Sequence, residues 1–188
     1  MGLGYSAPTL KGMTTHDTTS PTPQDTAAGV ERAPVRGPRM RWPQLAPDVY
    51  KAMVQLDTAS RQGVDPVLLE LVRIRTSQLN HCASCIDMHT KDALAAGESV
   101  QRIMQLSAWK EAQHFYTERE LAALELTESI TVLTDDFVPD EVYEWAAMHF
   151  DETELVQLIA AITAMNAWNR FNVAARTVAG RYQPGDHS

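Results

Sequence analysis

The chain has 188 residues, 44% hydrophobic and 21% charged, and a formal net charge of −8. This is ordinary globular composition, long enough for one domain with a real core. The acidic balance argues against a nucleic-acid or anionic-membrane surface, which would need a clustered basic patch, and no run of about 18 apolar residues is present to span a membrane.

Residues 1–37 are rich in Thr, Ser, Pro and Gly and lack apolar periodicity, so a flexible N-terminal tail is expected there. That segment has no basic start followed by an apolar stretch, which makes a secretory signal unexpected and a reducing, cytoplasmic setting the expectation. A single helical domain is expected over 38–180, with a short C-terminal tail over 181–188.

Within the domain, "APDVYKAMVQLDTASRQG" sets Val49, Tyr50, Met53, Val54 and Leu56 at helical spacing, with Gly63 as a stop. "DPVLLELVRIRTSQLN" opens with Asp65 as N-cap and Pro66 at the first helical position. "CASCIDMHTKDALAAG" is helical by its Ala, Leu and Met content and ends at Gly97, the expected C′ residue. A shorter segment, "SVQRIMQLSAW", follows. Thr117 with Glu120 forms a capping box for the next helix, Pro139 starts another, and Asp151 with Glu154 opens a long last segment reaching "TVAG". No alternating strand pattern competes, so the expected fold class is all-α, with six to eight helices.

Both cysteines fall in one short stretch, "HCASCIDMH". On a helix opening at Cys82, the side chains of Cys82, Cys85 and His89 lie within about 60° of one another, on a face shared with Ile86 and Ala93. The i, i+3 spacing brings the cysteine Cα atoms to about 5–6 Å, within reach of a disulfide. The helix N-terminus favours a thiolate near Cys82, and His89 one turn after Cys85 can share its proton. One helix earlier, Glu70 stands between Val67, Leu71 and Ile74 on an apolar face, while Arg73 and Arg75 are long enough to reach water. Desolvation is therefore expected to raise the Glu70 pKa. A raised carboxyl beside a thiol and an imidazole makes a proton relay. Two other readings stand beside this one. The cysteines could be small buried apolar residues. They could also bind zinc with His89 and either His81 or Glu70, although one helical turn is cramped for tetrahedral closure.

Glu70, eleven residues, Cys82-x-x-Cys85, three residues and His89 together resemble the signature of the alkylhydroperoxidase D-like family, within the wider carboxymuconolactone decarboxylase superfamily. "RMRWPQLAPDVYKAM", "LLELVRIRTSQLNHCASCIDMHTKDALAAGE" and "AITAMNAWNRFNVAAR" extend the likeness over roughly residues 38–178. The resemblance implies an alkylhydroperoxidase D-like helical fold, homo-oligomers (trimers, or hexamers built from them) and thiol-dependent peroxide reduction. It makes Cys85 the peroxidatic thiol, Cys82 its resolving partner and His89 the base, with Glu70 completing the relay through Cys82 or a water. No metal, flavin or haem is implied; the partners are a hydroperoxide substrate and an external dithiol or reductase protein. Where some peroxidase members carry a histidine immediately before the second cysteine, this chain has Ser84, which thins the relay, and His81 is the nearest candidate to replace it. Asn169 and Trp168, in the family-like "NAWNR", are candidates for the pocket or an interface, with core packing the expected role of Trp168. Two alternatives remain: a redox sensor that switches without turnover, and a decarboxylase-like lyase using Glu70 and His89. The decarboxylases proper generally lack this dithiol.

Overall fold

Helices account for the regular structure of the described residues, and no strand occurs among them. The computed structural model describes residues 33–134 and 137–186. The expected N-terminal tail as far as residue 32, and the last two residues of the expected C-terminal tail, lie outside them. The described residues from 36 onward make one structural unit. In chain order its helices are α1 (Trp42–Leu45), α2 (Pro47–Ser60), α3 (Pro66–Leu79), α4 (Ala83–Ala95), α5 (Val100–Gln105), α6 (Glu118–Thr131), α7 (Asp140–His149) and α8 (Glu152–Ala175). The chain thus adopts the expected all-α class.

The helix starts follow the capping chemistry in the sequence. Asp65 accepts a hydrogen bond from the Leu68 N–H at 2.9 Å, with Pro66 behind it. Both capping boxes form, Thr117 with Glu120 and Asp151 with Glu154. Each satisfies backbone donors that have no partner inside the helix, and such a cap contributes about 1 kcal/mol. Gly97 ends α4 with φ +94°, and the Glu98 N–H closes back on the Ala93 carbonyl at 2.9 Å. That is the left-handed position glycine tolerates best.

α3 is the axis of the fold because it is apolar on two sides. Leu68, Leu69 and Val72 pack with Leu126, Ala146, Leu158 and Ile162 from α6, α7 and α8. Leu71 and Ile74 pack on the opposite side with Ala93, Leu106, Trp109 and Leu124. Side chains on the remaining stripe of α3, Glu70 among them, face neither cluster and are held against α4 and α2 instead.

Four elements depart from the sequence reading. α1 is a four-residue turn too short to show periodicity, yet Trp42 within it is buried, stacked on Phe171 with ring centroids 4.4 Å apart. The segment after α4 tightens into a 3-10 turn at Leu106–Ala108. α8 stops at Ala175, short of Gly180, because Arg176 takes the left-handed conformation at φ 55°. On α2, Val49, Val54 and Leu56 are exposed despite their helical spacing.

Candidate active site

α3 and α4 are joined by a tight turn that sets the cysteines. Asn80 caps α3, His81 has φ 54°, and the Cys82 N–H bonds back to the Ser77 carbonyl at 2.9 Å. This is the helix-ending arrangement usually built on glycine, here made by a histidine. The Asn80 amide holds the turn from inside, donating to Asn166 Oδ1 at 2.9 Å and Asn169 Oδ1 at 3.0 Å. Asn169 also donates to Ser77 Oγ at 3.1 Å. Asn169 is fully buried and braces the turn, whereas His81 is exposed at its tip. The left-handed position turns His81 outward, and Asn169 spends its amide on the α3 terminus.

Cys82 is the N-cap of α4 and Cys85 lies in its first turn. They are bonded as a disulfide with Cα atoms 5.4 Å apart. Both are almost wholly buried, 1% and 0% exposed, against Met165 and Trp168 of α8. Ser84 Oγ lies 3.6 Å from the Cys82 sulfur and 4.0 Å from that of Cys85, and its residue lines the adjoining cleft. Its hydroxyl can hydrogen-bond to either sulfur but cannot titrate near neutrality.

His89, buried one turn after Cys85, meets Glu70 directly: Nδ1 lies 2.9 Å from Glu70 Oε2. The other carboxylate oxygen accepts from Arg73 Nη1 at 2.9 Å. Burial alone would raise the Glu70 pKa, as the sequence suggests. The hydrogen bond and charge of His89, and then those of Arg73, outweigh it and hold the carboxyl below its usual value. Two expectations are thereby corrected. Glu70 is an ionised partner of His89 rather than a protonated acid linked through Cys82 or a water. Arg73 does not reach water: it is 3% exposed and also donates to Asp57 of α2 at 3.1 Å. Arg75 is likewise engaged, with Glu128 at 2.7 Å. Because an ionised carboxylate only accepts, the Nδ1–H of His89 donates; a ring that carries no charge then has its lone pair on Nε2.

Glu70, Arg73, Ser84 and His89 line a cleft of about 1320 Å³ walled by α1, α2, α3, α4, α8 and the segment after α8. That exceeds the few hundred to about 1,000 Å³ that a small ligand fills, so the site is an open trough and not a closed chamber. One wall is aromatic: Tyr50 and Trp42 pack on Trp168 with centroids 5.7 Å away in each case. Opposite it, the chain after α8 is tied to α4. The Gly180 N–H donates to Asp87, Lys91 donates to the Tyr182 carbonyl, and the Tyr182 hydroxyl donates to Asp92 at 2.6 Å.

Sequence reading missed three participants: Arg73 as a buried clamp, Asp92, and Asn172, whose Nδ2 lies 3.4 Å from the Cys85 sulfur. The i, i+3 spacing of Glu70 and Arg73 was a usable signal for the first. Glu70, His89 and Asp92 offer ligand atoms within 4.8 Å of one another. Glu70 also accepts from a guanidinium and Asp92 from a phenol. The two sulfurs bond each other, and His89 Nδ1 faces Glu70.

Residues 47–129 match the model of the carboxymuconolactone decarboxylase family. The chain is 43% identical over 137 residues to the uncharacterized protein YdfG of Bacillus subtilis (strain 168), covering 72% of this chain and 92% of that protein. It is 32% identical over 114 residues to the uncharacterized protein YnjA of Escherichia coli (strain K12), covering 61% and 62% respectively. A crystal structure of an Agrobacterium tumefaciens protein of unknown function, titled a putative antioxidant defence protein AhpD, superposes with a TM-score of 0.73 at 33% identity, covering 76% of this chain and 98% of that one. The chain belongs to the carboxymuconolactone decarboxylase family, with the all-helical alkylhydroperoxidase D-like fold.

Proposed function

We propose that the protein is a thiol-dependent hydroperoxide reductase whose Cys82–Cys85 pair cycles between dithiol and disulfide. The carrying observation is the disulfide pair at the start of α4 with a hydrogen-bonded His89–Glu70 dyad one turn on. The antioxidant description of the Agrobacterium protein supports the same direction. In the reduced protein, His89 Nε2 takes the Cys85 proton while Glu70 steadies the imidazolium that forms. The Cys85 thiolate attacks the distal oxygen of the peroxide, the O–O bond breaks, and the leaving alkoxide takes the proton back as alcohol. The Cys82 thiol then displaces water from the Cys85 sulfenic acid, forming the disulfide. An external dithiol reduces that bond by exchange and leaves as its own disulfide. All electrons come from that dithiol, so no flavin, haem or metal is required. A trimer or hexamer would cover the exposed apolar residues of α2.

Consumption of an organic hydroperoxide with a dithiol donor tests this. Wild type is expected to turn over, and Cys85→Ser to fall to the uncatalysed rate. Equal rates for the two would remove the proposal. The near-complete burial of both sulfurs supports a second reading, a redox switch, which predicts a reversible disulfide without sustained consumption. A lyase using Glu70 and His89 would instead survive replacement of both cysteines.

A further inference from the structure

Asn172 lies in the last turn of α8, 87 residues after Cys85, with its Nδ2 at 3.4 Å from the Cys85 sulfur. The sulfur is here half of a disulfide; in the reduced protein the same atom is the thiol or thiolate. A thiolate can only accept, so a contact with it requires the amide to present Nδ2, and the amide oxygen then needs a donor of its own. That donor is at hand. Thr177 Oγ1 lies 2.9 Å from Asn172 Oδ1, and the Thr177 N–H donates to the Asn172 carbonyl at 2.9 Å. The left-handed Arg176, at φ 55°, folds Thr177 back over Asn172. The early stop of α8 thus has a use: it fixes which end of the amide faces the sulfur.

The helix N-terminus acts most strongly on Cys82, the N-cap itself. On that basis alone Cys82 would be the more activated thiol. The amide contact of Asn172 is to Cys85.

We propose that Asn172 stabilises the Cys85 thiolate as a catalytic residue, and that Thr177 is a positioning residue acting through it. The inference rests on the proposed function for the role of Cys85 as attacking thiolate, but its test does not depend on peroxide. Each cysteine is titrated alone by ultraviolet thiolate absorbance, Cys85 in Cys82→Ser protein and Cys82 in Cys85→Ser protein. Asn172→Ala is expected to raise the Cys85 thiol pKa by about one, leaving about tenfold less thiolate below it, because a hydrogen bond to an ion in a buried setting is lost. The Cys82 titration should not move. Thr177→Val should shift Cys85 in the same direction by less, and Thr177→Ser should restore it. An unchanged Cys85 titration in both Asn172→Ala and Thr177→Val, or an equal rise at the two cysteines, would overturn the inference. A wild type with no peroxide turnover but with the Cys85-specific shift would remove the peroxidase reading and leave the thiolate contact standing.

Discussion

Glu70→Ala is expected to lower kcat/KM for hydroperoxide reduction by about 10²–10⁴-fold, the range by which positioned acid–base groups accelerate proton transfer. The loss should fall on kcat, since Glu70 touches His89 and Arg73 and acts on the thiol only through the imidazole. Without the carboxylate, nothing else among the described residues is seen to hold Nδ1–H, and the ring loses the group that fixes its tautomer and stabilises its cation. Glu70→Gln should fall between the two, keeping a hydrogen-bond acceptor but losing the charge. Steady-state kinetics on the three proteins check the order. The same carboxylate sets an acid limit. Its folded pKa lies below the ordinary value of 4.5, as does that of Glu128, whose burial is outweighed by Trp109, Arg75 and Lys110. Groups depressed in this way contribute stability that is fully present above their unfolded pKa and is lost as pH falls through the folded one. The urea midpoint should therefore hold from neutrality to about pH 5 and drop below it, less steeply in Glu70→Gln than in wild type.

Arg73→Met is expected to cost about 2–3 kcal/mol, the largest effect on stability of any polar residue near the site. The guanidinium is buried and bridges Glu70 of α3 and Asp57 of α2, at 2.9 and 3.1 Å. Removing one partner of a buried pair costs about 3–5 kcal/mol because the remaining charge is left desolvated. Here the loss is softened, since Asp57 keeps Arg61 and Glu70 keeps His89. Urea denaturation at pH 7 reads the difference as a lower midpoint at constant slope. Activity should fall as well, because Glu70, freed from Arg73, no longer has a fixed angle toward His89. A midpoint within a few tenths of a kcal/mol of wild type would mean that the clamp is not formed in solution.

The helices were legible because their starts and stops are local chemistry. Asp65-Pro66, the two capping boxes and Gly97 each act within four residues of themselves, and each sits where the sequence implies. The alignment of Cys82, Cys85 and His89 on one face was legible for the same reason, being a property of a single helix. What a single sequence does not carry is contact between helices. The pairing of Arg73 with Asp57 turned an expected solvent-facing arginine into a buried one, and the contact of His89 with Glu70, followed by that of Arg73, reversed the expected direction of the Glu70 pKa. The approach of Asn172 to Cys85 joins residues 87 positions apart and leaves no local trace. His81 was misplaced by a backbone effect: a histidine in the left-handed position, where a glycine would have announced the turn. Asn169 was singled out with the right stretch of chain, but its amide serves the α3 terminus.

Under the proposed function, Cys85 reduces a peroxide with the electrons of the Cys82–Cys85 dithiol, which closes to a disulfide. Single turnover tests it most directly: fully reduced protein is mixed with one equivalent of an organic hydroperoxide, with no external dithiol, and alcohol, free thiols and the linked peptide are measured together. One alcohol formed for every two thiols lost, with the loss residing in a Cys82–Cys85 bond and absent in Cys85→Ser, is the predicted result. Peroxide left unconsumed, or alcohol formed equally well by Cys85→Ser, would contradict it.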